Sequence, residues 1–256
     1  MQGRLRFWTI TGLVLAASSP SAAQARGAGE LPVTVQQAAG TSAAAIQSAV
    51  DAYRNDLGTL NPAAPGSVGA GRREIAWDGV PDALSAPNLL PGDFFNVTSP
   101  RGVVFSTRGS GFQVSANAGV APIEFDNLNP TYSGLFTTFS PQRLFTALNS
   151  NELTVRFFVP GSRTPATSTG FGAVFSDVDR PGTKIAYYDA RNRRLATFAV
   201  PVSPGRETLS FLGVRFLEDR VAAVKITSGN TKLGPHEGRG RGVVVMDDFI
   251  FGEPTP

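Results

Sequence analysis

Short apolar runs that alternate with polar positions dominate the chain from residue 102 onward. Gly, Pro, Asn and Asp separate these runs at short, regular intervals, and this pattern predicts strands joined by tight turns. The runs are GVVFST, GFQVSA, IEF, LFTTF, RLFTAL, ELTVRFFVP, GFGAVFSDVD, TKIAYYD, RLATFAVP, ETLSFLGVRF, RVAAVKITS and VVVMDDFIF. No helical pattern alternates with them. The sequence therefore predicts an all-β fold, a two-sheet antiparallel β-sandwich of jelly-roll type.

One N-terminal helix precedes the strands. Apolar residues recur at helical spacing over residues 41–57, where Thr41 or Ser42 can cap the start and Gly58 can end the last turn. Its polar side carries no basic band, so we expect the apolar stripe to dock on the sandwich rather than on a membrane.

The regions around this helix predict the domain organisation. Residues 26–40 are small and polar without a sustained period, which is typical of a mobile leader, and residues 60–71 are rich in Pro, Gly and Ala, which is typical of a linker. We therefore predict that 26–71 comprises leader, helix and linker, and that the β-sandwich domain spans 72–256.

Residues 1–25 have the features of a secretory signal peptide: a basic start, an apolar segment and a small-residue cleavage site. We expect cleavage after Ala25 and a secreted, extracellular protein. The apolar segment is shorter than the roughly 20 residues that span a bilayer, and no later segment reaches that length. The chain has a formal net charge of +3 and no cysteine. This composition excludes a disulfide framework and does not predict nucleic-acid binding.

Paired aspartates follow apolar runs at two places. If the strand that begins at Gly170 continues through Asp177 and Asp179, these two share one side of it, whereas Asp247 and Asp248 point to opposite faces of the last strand. One of the latter pair would then face the core. An unpaired carboxylate is costly there, and a cation or an arginine would relieve the cost.

These carboxylates predict a calcium site. The first and last strands of a jelly roll are often neighbours, so Glu74 and Asp78 could approach the last aspartate pair. Calcium takes six to eight oxygen ligands, which loop carboxylates and carbonyls supply. The candidate ligands are Glu74, Asp78, Asp177, Asp179, Asp247 and Asp248.

Arginines offer an alternative to the metal. Asp177 and Asp179 could cap a turn, and the last pair could bind arginines such as Arg72 or Arg73.

Aromatic side chains that line a concave face could stack on sugar rings. Trp77, Tyr132, Tyr187 and Tyr188 are candidates, but the last two are adjacent in a strand pattern, so only one of them faces outward. For Trp77 we favour packing in the core over stacking on a sugar.

The run from Gly170 through TKIAYYDARNRRLATFAVPV, ETLSFLGVRF, RVAAVKITSGN and VVVMDDFIFGE resembles an uncharacterised group of secreted bacterial proteins, related to ectodomains that often carry a PEP-CTERM sorting tail. The segments REIAWDGVPD and SPRGVVFSTRGSGFQVSA give weaker support. The resemblance implies a jelly-roll module of the carbohydrate-binding and lectin-like kind. The chain ends in GEPTP without a sorting motif or basic tail, so we expect free secretion.

The sequence thus predicts an exported extracellular or cell-surface binding module for carbohydrate or another surface polymer, without enzymatic activity and with a structural calcium. One alternative is a structural or matrix protein that contacts other proteins through exposed strand edges. A second alternative is a glycoside hydrolase or lyase, which needs two carboxylates in one open groove. Its candidates are Glu74, Asp78, Asp177, Asp179 and Asp247.

Overall fold

Strands make up most of the regular structure, as predicted. The computed structural model describes residues 32–217, 221–234 and 240–256, so the predicted signal peptide lies outside the described residues. The strands are β1 Val33–Gly40, β2 Arg72–Ile75, β3 Val103–Thr107, β4 Gly111–Val114, β5 Phe145–Leu148, β6 Glu152–Phe157, β7 Gly170–Ser176, β8 Lys184–Tyr188, β9 Arg194–Ala199, β10 Leu209–Phe216, β11 Ala223–Thr227 and β12 Val245–Gly252. The helices are α1 Ala43–Leu57 and the short α2 Phe94–Val97. None of the helices in the described ranges is long and apolar enough to cross a membrane.

The strands form two antiparallel sheets, which confirms the predicted β-sandwich. Within the described residues, one sheet has seven strands in the order β1-β10-β7-β12-β5-β4, with β2 paired to β12. The other has five strands in the order β3-β6-β11-β8-β9. The first and last strands of the predicted 72–256 sandwich, β2 and β12, are therefore direct neighbours.

Aromatic rings fill the space between the sheets. Trp77 is fully buried, as predicted, and stacks on Phe145 with ring centroids 4.0 Å apart. Phe95, Phe105 and Phe249 surround the same indole. Its Nε1 donates to the backbone oxygen of residue 247, so the polar end of the ring is satisfied.

Helix α1 packs on the outer face of the seven-stranded sheet. The predicted helix is confirmed, with its first helical residue at Ala43. Its buried stripe includes Val50 and Tyr53, which contact Phe211 and Ile250 of the sheet. The stripe thus covers a sheet face, as the amphipathic pattern predicts.

The prediction of a mobile leader is wrong for residues 33–40. These residues form β1, which pairs with β10 from Val33 opposite Phe216 to Gly40 opposite Leu209. Most of the strand is only half buried, and it lies at the edge of the sheet. Its small and polar side chains give no clear alternation, and backbone pairing with β10 orders them instead.

The segment 60–71 is held against the sandwich rather than forming a free linker. The buried Arg73 donates to the carbonyls of Pro62, Ala64 and Gly66, and it forms an ion pair with the buried Glu253 at 2.7 Å. Because these bonds reach both the segment and the C-terminal end of the sandwich, residues 60–71 do not separate two domains.

Candidate functional site

The structure places four of the six predicted carboxylates in two neighbouring pairs, Glu74 with Asp248 beside helix α1 and Asp78 with Asp247 at the turn before β5. Strand β2 lies against β12 with Glu74 opposite Ile250, so Glu74 reaches the same region as Asp248. Asp78 follows β2 and shares a hydrogen-bond partner with Asp247. This arrangement matches the predicted approach of the first and last strands.

Both aspartates of the last strand lie on the same side of the sheet. The pairing of β12 with β7 shifts register between Met246 and Phe249, and these two side chains both lie in the core between the sheets. The extra residue at this bulge leaves Asp247 and Asp248 on the side covered by helix α1. The prediction that they point to opposite faces is wrong, because it assumed an uninterrupted strand.

Arginine supplies the positive charge in this cluster. The Arg54 guanidinium lies 2.9 Å from Glu74 and 3.5 Å from Asp248, and Arg72 donates to Glu74 at 2.6 Å. The arginine alternative named Arg72 or Arg73 as partners of the last aspartate pair. In the structure Arg54 of the helix is the partner of Asp248, and Arg73 pairs instead with the side chain of Glu253.

Asp78 and Asp247 fix the turn before β5. The Asp247 carboxylate accepts hydrogen bonds from the Ser140 hydroxyl, at 2.8 Å, and from the Phe139 N–H. Asp78 accepts from the backbone N–H groups of Gln142 and Arg143 at 3.0 and 3.1 Å. These bonds give both carboxylates a structural role in holding residues 139–143.

The two adjacent aspartates hold protons more tightly than isolated carboxyls. Burial raises the pKa of Asp247 well above its ordinary range, and the neighbouring Asp248 raises it further. Burial also raises the pKa of Asp248 to about 6, although hydrogen bonding and the nearby Arg54 oppose the rise. Ionising both of two adjacent buried carboxyls is unfavourable, because each charge is poorly solvated and repels the other. We therefore expect the pair to keep a proton at mildly acidic pH.

The other two predicted ligands lie apart from this cluster. Strand β7 ends at Ser176, and Asp177 adopts a positive φ of 70°, so it does not share an extended segment with Asp179. Asp177 is buried and its N–H donates to the Thr208 carbonyl, whereas Asp179 pairs with Arg180 at 2.7 Å. Across the described part of the chain, no three acidic or histidine side chains are close enough to hold a metal ion together. Calcium binding stays a prediction of the sequence.

A groove of 570 Å³ crosses the outer face of the five-stranded sheet. We call it the sheet groove. It is lined by Ser106, Thr107, Arg108, Glu152, Leu153, Thr154, Arg156, Lys184, Ala186, Tyr188, Arg194, Thr197, Lys225, Ile226 and Thr227. The side chains of Val224 and Ile226 face the core, so the alternating residues of β11 face outward. The same alternation buries Tyr187 and leaves Tyr188 in the groove, as the adjacent pair predicts.

Strand register arranges the groove residues in rows. Arg156 of β6, Ala223 of β11, Tyr188 of β8 and Arg194 of β9 stand side by side across four strands. The next row contains Ser106, Thr154, Lys225, Ala186 and Thr197. Tyr188 therefore occupies a position between two arginines in its row, and the next row carries hydroxyl side chains and one ammonium.

The sheet groove is strongly basic. Its exposed charged residues are Arg108, Arg156, Lys184, Arg194, Lys225 and the single acid Glu152. None of these five cations forms an ion pair with a carboxylate of the described residues. The Lys225 ammonium lies 4.9 Å from the centre of the Tyr188 ring instead. In the sequence these cations look scattered, because only the pairing of five strands brings them to one face.

Comparisons with known proteins do not assign the chain to a family. No family model matches it, and no curated protein matches it. Among solved structures, the enzymatically active domain of tailspike protein 4 from bacteriophage CBA120 matches with a TM-score of 0.30 and 12% sequence identity, over 64% of this chain and 20% of that chain. The chain spans one fifth of that structure's length, and a similarity of this degree says nothing about what the chain binds.

Proposed function

We propose that this protein is an exported, non-catalytic binding module that holds a glycan in the sheet groove. The observation that carries the proposal is the row that places the Tyr188 ring between Arg156 and Arg194 on an exposed, concave sheet face. An aromatic ring offers a flat apolar surface to the apolar face of a sugar. The predicted signal peptide supports export, and the resemblance to lectin-like ectodomains supports glycan binding.

The hydroxyl groups of the groove can form hydrogen bonds with a glycan. Ser106, Thr154 and Thr197 lie in one row beside the tyrosine. Each hydroxyl both donates and accepts a hydrogen bond, which suits a ligand that carries many hydroxyls of its own. Binding sites of this kind combine apolar surface with a small number of placed polar groups.

The carboxylates favour binding over catalysis. Hydrolysis of a glycosidic bond by paired carboxylates needs two of them in one cleft. The described lining of the sheet groove contains one carboxylate, Glu152. Asp247 and Asp248 are buried beneath helix α1 at 0% and 3% exposure, where a polymer does not reach them. We therefore propose that the protein binds the glycan and releases it without cleaving it.

An array of immobilised neutral and acidic glycans tests this function, with Tyr188→Ala and Leu89→Ala measured beside the wild type. Leu89 is 53% exposed and lies outside the groove, so it controls for a general loss of apolar surface. We expect the wild type and Leu89→Ala to retain the same glycan. Tyr188→Ala should bind about tenfold more weakly, since burying an aromatic face contributes about 1–2 kcal/mol.

Three outcomes would contradict the proposal. Binding of no glycan would sink it, and self-association of the same sample in light scattering would then favour a structural protein. Equal binding by Tyr188→Ala would place the ligand outside the sheet groove. Release of shorter sugars from a bound glycan would overturn the non-catalytic role.

A further inference from the structure

We infer that the ligand of the sheet groove is an acidic polysaccharide, a glycan that carries carboxylate or sulfate groups. This inference rests on the proposed function and names the substrate class of the same site. The lining of the groove carries five cations and one carboxylate, that of Glu152. The whole chain has a formal net charge of only +3, so the positive charge is concentrated on this face.

The groove cations differ from the arginines that hold the helix and the segment 60–71 against the sandwich. Arg54, Arg72 and Arg73 each pair with a carboxylate at 2.9 Å or less. The groove cations have no such partner among the described residues, and they are exposed. An anionic ligand therefore gains ion pairs without breaking existing ones. Charge-assisted hydrogen bonds to such groups are stronger than neutral ones.

The position of Lys225 favours an acidic sugar over a neutral one. Its ammonium lies over the Tyr188 ring, on the surface where a sugar would stack. A neutral sugar would displace the ammonium from the ring and lose the cation–π contact without an ion pair in return. An acidic sugar that stacks on the ring also displaces the ammonium, but it can pair its acid group with that ammonium in return.

The spacing of the two guanidinium groups suits a polymer. Arg156 lies two strands from Tyr188, and Arg194 lies one strand away on the other side. Neighbouring strands are about 4.8 Å apart, so the two arginine positions are separated by about 14 Å across the sheet. A chain that crosses the strands with its central sugar on Tyr188 can present acid groups to both arginines.

A glycan fits the groove better than a single-stranded nucleic acid. Grooves that bind single strands without sequence preference stack successive bases on several aromatic rings. Tyr188 is the one aromatic residue in the described lining. Hydroxyls, including those of Thr154 and Thr197, take the positions around it.

Titration calorimetry of the full chain with a short oligogalacturonate tests the inference. The matched probe is the same oligomer with its carboxyl groups reduced to alcohols, and oligodeoxythymidylate is the nucleic-acid probe. The variants are the double substitution Arg156→Ala/Lys225→Ala and the control Arg163→Ala, which removes an exposed arginine outside the groove.

We expect oligogalacturonate to bind at least about tenfold more tightly than its reduced form, because it gains charge-assisted contacts. Its affinity should fall as salt rises, since exposed charges are screened over about 8 Å at physiological ionic strength. The double variant should lose at least about tenfold in affinity, and Arg163→Ala should bind as the wild type does. Unchanged thermal melts show that the variants are folded.

Equal or tighter binding of the reduced oligomer, lost in Tyr188→Ala but kept in the double variant, would overturn the acidic ligand and leave the glycan-binding function standing. Binding of neither oligomer, together with an array that retains no glycan, would overturn both. Tighter binding of oligodeoxythymidylate that depends on Arg156 and Lys225 would overturn both in favour of a nucleic-acid ligand.

Discussion

At Asp248, burial raises the pKa of the carboxyl while the nearby Arg54 lowers it. Asp248 lies beside Asp247 under helix α1 and is 3% exposed, and its Oδ1 has no hydrogen-bond partner among the described residues. Its raised pKa means that the native state holds the proton more tightly than the unfolded chain does. Stability from the protonated form is fully present below the ordinary aspartate pKa, near 4, and is lost as pH rises through about 6.

Asp248→Asn should remove this pH dependence. The amide is neutral at every pH, so we expect the free energy of unfolding to change less between pH 4 and about 6 than in the wild type. At pH 7 the variant should be more stable by roughly 1–3 kcal/mol, while Glu74 still pairs with Arg54. Urea unfolding at several pH values measures this. Asp179→Asn, which removes a carboxylate from a different loop, is the control. An unaltered pH profile in Asp248→Asn would show that another group titrates.

Residue-level prediction from the sequence works where the strand is regular. Alternation predicts that only one of Tyr187 and Tyr188 faces outward, and the structure shows that Tyr188 is the one. It fails at Asp247 and Asp248, because the bulge between Met246 and Phe249 depends on how β12 pairs with β7. Nothing in the local pattern of the last strand marks that extra residue.

Individual elements show where local sequence signals are weak. Helix α1 has a strong apolar period and is predicted almost to the residue. Strand β1 has small, half-buried side chains at a sheet edge, and its order comes from pairing with β10 rather than from its own pattern. Residues 60–71 have the composition of a linker, yet Arg73 bonds three of their carbonyls.

The contact between helix α1 and strand β12 allows a test of the predicted calcium site. Arg54 of the helix already lies beside Glu74 and Asp248 as their positively charged partner. Because Arg54 supplies the charge that a metal would supply, we expect the protein to have the same melting temperature in millimolar calcium and in EDTA. A ligand that binds only the folded state would instead raise it. A calcium-dependent rise that Asp247→Asn abolishes would establish a metal site in this cluster and contradict the role given to Arg54.

The described part of the chain, from residue 32 onward, is a β-sandwich with two different outer faces. Helix α1 packs on the outer face of the seven-stranded sheet at β7, β10 and β12, whereas the outer face of the five-stranded sheet carries the basic groove. The sandwich itself follows from the density of strand patterns and the aromatic content of the chain. The groove does not, because Arg156, Tyr188, Arg194 and Lys225 come from four strands whose order the sequence does not reveal.

Ligand binding in the sheet groove is tested by mapping backbone amide chemical shifts while the protein is titrated with oligogalacturonate. We predict that the signals that move belong to β6, β8, β9 and β11, with the largest changes at Arg156, Tyr188 and Lys225. Signals of helix α1 should stay in place. Changes confined to the Asp247 and Asp248 region, or to the edge strand β1, would contradict the assignment of ligand binding to the sheet groove.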